Sequence, residues 1–452
     1  MSLDARDTVT NPDKSAEELP SWDLADLYAG ADDPRLAVDL DRAAAEARAF
    51  NESHAGKLAG LSGDSLAAAI ATYEAIEEVL GRAMSFAQLV FSGDAQASAN
   101  GRFYQSTQER VTTISSQLLF MTLEINRMED AALEQKYAGS AALSRWKPWL
   151  RDLRVFRDHQ LSDELEKLLH EKEVTGRSAW NRLFDETTAN MRVTVAGEDL
   201  TVSGALNKLS DRDRDVRAAA AKGVSADFGD NIRLFSLITN TLAKDKEIID
   251  GWRHYKRPTS SRNRANMVED EVVDALVGAV RESFPRLSHR YYSMKAQWLG
   301  LEKLKHWDRN APLPDQDDKT IPWPDATKCV LDSYSAFSPE LGALGRRFFD
   351  KPWVDAALRP GKASGAFAHP TVPSVHPYLL VNYHGKARDV MTLAHELGHG
   401  VHQILAAGQG YLLSSTPLTL AETASVFGEM LTFRALLDAE RDPRRRRALL
   451  AS

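Results

Sequence analysis

The sequence predicts a mainly α-helical protein with a small β element set beside one buried helix near residue 400. Three observations carry this. Apolar residues recur every three or four positions along most of the chain, which is the period of an α-helix. Stretches of strand character are confined to 191–202 and 363–383. Around residue 397 an apolar stripe of helical spacing, Val390, Leu393, Leu397, Val401 and Ile404, frames the polar run His395-Glu396-Leu397-Gly398-His399.

In chain order, residues 1–18 are polar and acidic and are expected to be disordered. They carry no apolar stretch of the kind a secretion signal needs. Leu66, Ile70, Tyr73, Ile76, Leu80, Met84, Ala87 and Phe91 predict a long helix, with Asp64 and Ser65 as caps. Val111, Ile114, Leu118, Met121, Ile125 and Met128 predict a second. Further helices are expected over roughly 162–188, 211–253 and 268–303. Met191–Val195 and Leu200–Val202, joined by Ala196-Gly197-Glu198-Asp199, read as a hairpin. It marks the expected boundary between an N-terminal helical lobe, 19–190, and a second lobe, 191–452. Ala363–Phe367 and Tyr378–Tyr383 read as two short strands, with His369, His376 and three prolines between them. The stripe helix follows, with Asp389 near its start, where a carboxylate suits a helix N-terminus. Gly408-Gln409-Gly410 ends it and lets the segment holding Glu422 and Glu429 fold back against it.

The run His395–His399 has the spacing HExxH. Residues four apart share one face of a helix, so two imidazoles can hold one Zn²⁺ at roughly 2.0–2.1 Å each. Glu396 stands next to them, able to reach a water at the metal without ligating it, as a general base must. Gly398 and Gly400 each cost about 1 kcal/mol against Ala in a helix interior. A helix that keeps them implies close approach by another backbone or by substrate. A catalytic zinc needs a third protein ligand. A metzincin pattern would require glycine at 402 and histidine at 405, but the chain has His402 and Leu405. Glu422 and Glu429 are two helical turns apart and face the same way, so one can ligate while the other orients a ligating histidine. Spacing alone does not rank them. The alternative for Glu429 is a surface or structural carboxylate, and His402 reads as a structural histidine or one that supports a ligand from behind.

HELGHGVH followed by ETASVFGE resembles the M3 peptidases, and most closely their oligoendopeptidase F branch. Gly361–Phe367, His376–Tyr383 and Pro20–Tyr28 are similar to that branch too, so the resemblance runs from about residue 20 to the end. It implies a multi-helical, zincin-like metallopeptidase with one Zn²⁺ per chain held by His395, His399 and Glu422. It makes Glu396 the base, which leaves Glu429 as the carboxylate that orients a ligating histidine. It also implies a deep channel that admits oligopeptides and excludes folded proteins. An extended peptide can pair with a strand edge through main-chain hydrogen bonds, which are largely blind to side-chain identity. Gly365, Ala366, Phe367, His376 and Tyr378 are the expected substrate contacts. The family places a later histidine and several tyrosines beyond the zinc helices. Here a helix that starts at Asp442-Pro443 runs to the end of the sequence, so a truncated chain is expected. A zinc- and peptide-binding protein without turnover is the second reading, and a helical scaffold with a fortuitous HExxH the third.

Composition sets the remaining bounds. Net charge is −8 over 452 residues, which argues against nucleic acid as the main partner. Arg444–Arg447 is the one basic cluster and reads as a solvated helix face. No stretch reaches the about 18 consecutive apolar residues of a membrane span. The single cysteine, Cys329, excludes an intrachain disulfide and suits a reducing, cytoplasmic setting.

Overall fold

The computed structural model describes residues 19–314 and 320–451, so the expected disorder of 1–18 lies outside the described residues. Helices dominate, as expected. The helices used below are α1 (Pro34–His54), α2 (Gly63–Gly93), α3 (Ser98–Ser115), α4 (Arg214–Asp230), α5 (Ile232–Trp252), α6 (Trp323–Phe337), α7 (Pro339–Asp350), α8 (Ala387–Ala407) and α9 (Leu418–Ala439).

Several long periodic stretches are shorter helices in series. The 211–253 stretch breaks at Asn231 into α4 and α5. The 268–303 stretch passes through one π-helical turn at Pro285–His289, where Pro285 has no N–H to continue the α-helical ladder. Helix α2 is capped by the Ser62 hydroxyl, which accepts from Ser65 N at 3.1 Å, two residues before the first of the expected caps.

The hairpin forms as expected, with β1 (Val193–Val195) antiparallel to β2 (Glu198–Leu200). Ala196 and Gly197 take positive φ in the turn. The second sheet departs from expectation. It has three strands, β3 (Val354–Asp355), β4 (Phe367–His369) and β5 (Tyr378–Leu380), in the order β3-β5-β4. β3 has only two residues, too short a run to leave a periodic signal. β4 begins at Phe367, where the expected strand ended. Gly365, at φ +84°, turns the chain just before it. The preceding loop is tied to the end of α2 by Ala363 N to Ser92 O at 2.9 Å and Ala95 N to Gly361 O at 2.7 Å.

One cluster of buried apolar residues runs from Leu27 through Leu150 and resumes from Ala326 to Val401. Residues 191–238 build two separate small clusters around Val193, Val195 and Phe235. The main core therefore crosses the boundary placed at residue 190. It joins the N-terminal helices, the second sheet and α8 in one cluster.

Candidate active site

Helix α8 starts where expected. Asp389 Oδ2 accepts from His384 N and Lys386 N, each at 2.9 Å, which ties the helix's first turn to the residues that lead into it. Its apolar stripe, Val390, Leu393, Leu397 and Val401, is buried in the main core. The opposite pattern, His395 and His399, comes out on the face met by α9. The two helices run antiparallel, since His399 meets Glu422 while His395 meets both Glu422 and Glu429.

Glycine sets how close the pair comes. A Cβ on Gly398 would lie 2.6 Å from Ala424 O and 2.8 Å from Ser425 Cα, so α9's backbone lies where a side chain would be. A Cβ on Gly400 would lie 2.6 Å from the Phe348 ring of α7. Both glycines meet the expectation of close approach, and in both cases the neighbour is the protein itself. Gly428 answers from α9: a Cβ there would overlap the Tyr334 hydroxyl. That hydroxyl donates to Ala394 O at 2.6 Å, directly before His395.

His395, His399 and Glu422 bring three ligand atoms within 4.8 Å of one another. Glu422 Oε2 lies 3.2 Å from His395 Nε2 and 3.5 Å from His399 Nε2. A tetrahedral ion with arms of about 2.1 Å separates its ligand atoms by about 3.4 Å, so these spacings and the His₂Glu donor set fit zinc. Burial lowers the pKa of His399 most, with Glu422 opposing, which favours the neutral imidazole a metal needs. With Nε2 left for a metal, His395 Nδ1–H donates to Glu429 Oε2 at 3.3 Å. Glu429 thus sits at the far nitrogen of the His395 ring.

Glu396 is buried beside this cluster. Burial pushes its carboxyl up to about 7, Glu422 adds to the rise, and His395 opposes it. The Glu422 and Glu429 side chains are 50% and 41% exposed against 15% for His399, so the cluster opens to solvent on its carboxylate side.

Sequence reasoning missed Ser425. Its fully buried hydroxyl donates to Glu422 Oε2 at 2.8 Å and fixes the carboxylate that faces both imidazoles. A serine three residues after a helical carboxylate is a local signal, but only the packing of α8 on α9 gives it this use.

A family model described as peptidase family M3 matches residues 208–451, and one described as oligopeptidase F matches residues 124–192. The chain belongs to peptidase family M3. Among its M3 relatives, oligopeptidase PepF of Bacillus subtilis is 26% identical over 407 residues, covering 87% of this chain and 60% of that protein. An oligoendopeptidase F homolog of Lactococcus lactis is 24% identical over 451 residues, covering 97% of this chain and 73% of that one. The crystal structure of oligoendopeptidase-F from Enterococcus faecium superposes with a TM-score of 0.64 at 21% identity, over 92% of this chain and 68% of that one. This likeness confirms the mainly helical M3 fold.

The expected substrate contacts divide in two. Gly365 is exposed, and Ala366 and Phe367 are partly so, at the start of β4. His376 and Tyr378 are buried instead. The His376 ring stacks on Trp353 at 3.7 Å, and its Nδ1 and Nε2 meet Pro377 O at 3.0 Å and Asp26 Oδ2 at 2.9 Å. The Tyr378 hydroxyl donates to Asp23 O at 2.9 Å. These two side chains fasten the N-terminal segment to the sheet, so the structure turns them away from the substrate role expected of them. His369 is likewise internal, with Nε2 2.9 Å from Ser85 Oγ.

Proposed function

We propose that this chain is a zinc-dependent endopeptidase that hydrolyses internal bonds of short oligopeptides. The observation that carries the reading is the convergence of His395, His399 and Glu422 within 4.8 Å, with the buried Glu396 beside them. Membership of family M3 supports it, and the relatives' names, oligopeptidase and oligoendopeptidase, point to the substrate class. The chain spans 60% of the B. subtilis relative's length, so the reading concerns what these residues are arranged to do.

Zinc in this donor set would polarise the scissile carbonyl and acidify a water molecule. Glu396 accepts the proton of the attacking water at its carboxylate. It then delivers that proton to the departing amine. Glu429 holds the His395 ring by its far nitrogen, and Ser425 holds the Glu422 carboxylate. Gly365, Ala366 and Phe367 line the approach to the centre, and of the three Ala366 turns its main-chain groups to the open edge for an extended peptide. Among the described residues no helix is long and apolar enough to cross a membrane. The single cysteine, Cys329, suits a cytoplasmic setting, and the oligopeptidase relatives point to oligopeptides as partners.

The test is metal content followed by turnover. The purified chain should hold about one zinc, and His395→Ala or His399→Ala should empty it. A quenched oligopeptide should be cut internally, with the cleavage placed by mass spectrometry. Full zinc retention in both histidine variants would overturn the assignment.

A further inference from the structure

The free edge of the second sheet carries a device that the metal centre does not use. In β5, Leu379 N and Val381 N donate to Trp353 O and Asp355 O, each at 2.9 Å, so those residues face β3. Tyr378 and Leu380 therefore face β4, where they pair with His369 and Phe367. Antiparallel alternation then turns the N–H and C=O of Ala368 away from the sheet, onto its open edge. The same parity places Ala366 and Pro370 on that edge. Pro370 has no N–H to offer.

The position at Ala368 is already taken. Gln403 Nε2 donates to Ala368 O at 3.3 Å. Gln403 lies four residues beyond His399 and eight beyond His395, on the same face of α8 and about 6 Å along the axis from His399. Its Oε1 is buried and has no hydrogen-bond partner among the described residues. The amide thus takes the Ala368 carbonyl that a neighbouring strand would otherwise use.

We propose that Gln403 is a register stop for the bound peptide. Resting on the endopeptidase reading, the inference makes Gln403 a positioning residue. It fills the pairing position at Ala368, so a peptide strand laid along β4 bonds at Ala366 and is halted there. Opening the Ala368 position adds one pairing site, equivalent to two peptide residues, and Pro370 prevents any further gain.

The experiment is a series of peptides lengthened one residue at a time on either side of a fixed scissile bond. It is run with wild type, Gln403→Ala and Gln403→Leu, with zinc content and melting temperature recorded for each. For Gln403→Ala, kcat/KM on peptides two residues longer on one side should rise about five- to tenfold relative to shorter ones, as one added main-chain pairing implies. The leucine variant, which keeps the bulk, should show no such gain. If Gln403→Ala fails to fold, Gln403→Ser opens the same position. Superimposable length profiles for wild type and the opened variant overturn the register stop while leaving the peptidase reading standing. A wild-type chain that loads zinc yet neither binds nor cuts any peptide overturns both.

Discussion

Glu396 is set apart from its neighbours by burial, since it has the ligands' helix but not their exposure. Glu396→Gln keeps size and polarity and cannot accept a proton. It should bind zinc as wild type does and lose about 10²–10⁴-fold in kcat, read on a quenched oligopeptide. The two carboxylates of α9 should separate under chelator competition. Glu429→Ala, which frees one imidazole nitrogen, should cost about 10–100-fold in zinc affinity, and Glu422→Ala far more. A filled site in Glu422→Ala with an empty one in Glu429→Ala would reverse the roles. A fourth residue matters to stability. Glu77 lines a cavity of about 390 Å³ with Tyr73, His170 and Tyr411. Burial pushes its carboxyl from an ordinary 4.5 up to about 7, against a hydrogen bond from Tyr73. The folded state then holds this proton more tightly than the unfolded chain does. Its contribution is fully present below pH 4.5 and is lost as pH rises through about 7. Glu77→Gln should flatten that part of the stability profile, measured by urea unfolding at pH 5 and pH 8.

At the scale of elements, the site exists because α8 and α9 touch backbone to backbone. Gly398→Ala places a Cβ 2.6 Å from Ala424 O, a contact that only a shift of α9 relieves. Overpacking of this kind costs about 1–3 kcal/mol, and it moves Glu422 away from both imidazoles. The variant should melt at lower temperature and bind zinc more weakly. Gly408→Ala is the control, since the nearest atom to its Cβ is Leu405 O at 3.8 Å. Equal zinc affinity in the two variants would separate the glycine from the metal. Tyr334 belongs to the same design, because its hydroxyl reaches Ala394 O only where Gly428 leaves room.

For the whole molecule, the N-terminal segment and the edge strand form one structure. Trp22 packs on Phe367 and Tyr378, and Asp23 and Asp26 take the polar atoms of Tyr378 and His376. The loop before β4 is bonded to the end of α2. Helices from the N-terminal part of the chain therefore stand beside the proposed peptide edge. That placement supports an enclosed approach and predicts selection by size. Short peptides should be hydrolysed while casein and folded proteins are spared, compared at equal mass concentration on a gel. Efficient casein digestion would count against enclosure.

What the sequence determined by itself is local. The i, i+4 spacing of His395 and His399, the acid between them, the glycines at 398 and 400, and the carboxylates two turns apart at 422 and 429 all follow from the helical period. The hairpin at 193–200 was legible because its turn residues and alternation lie within a few positions. Strand β3 was not, because two residues carry no period. What only the tertiary structure decided depends on register between distant segments. Glu422 rather than Glu429 faces both Nε2 atoms because Gly398 sets the slide of α9 along α8. His376 and Tyr378 are held inward by bonds to the Asp26 carboxylate and the Asp23 carbonyl, 350 and 355 residues away in the chain. Ser425 and Gln403 acquire positions only once their helices dock. A side chain's neighbours along the chain are set by bond geometry, whereas its neighbours across an interface are set by how two surfaces pack, which no short window of sequence contains.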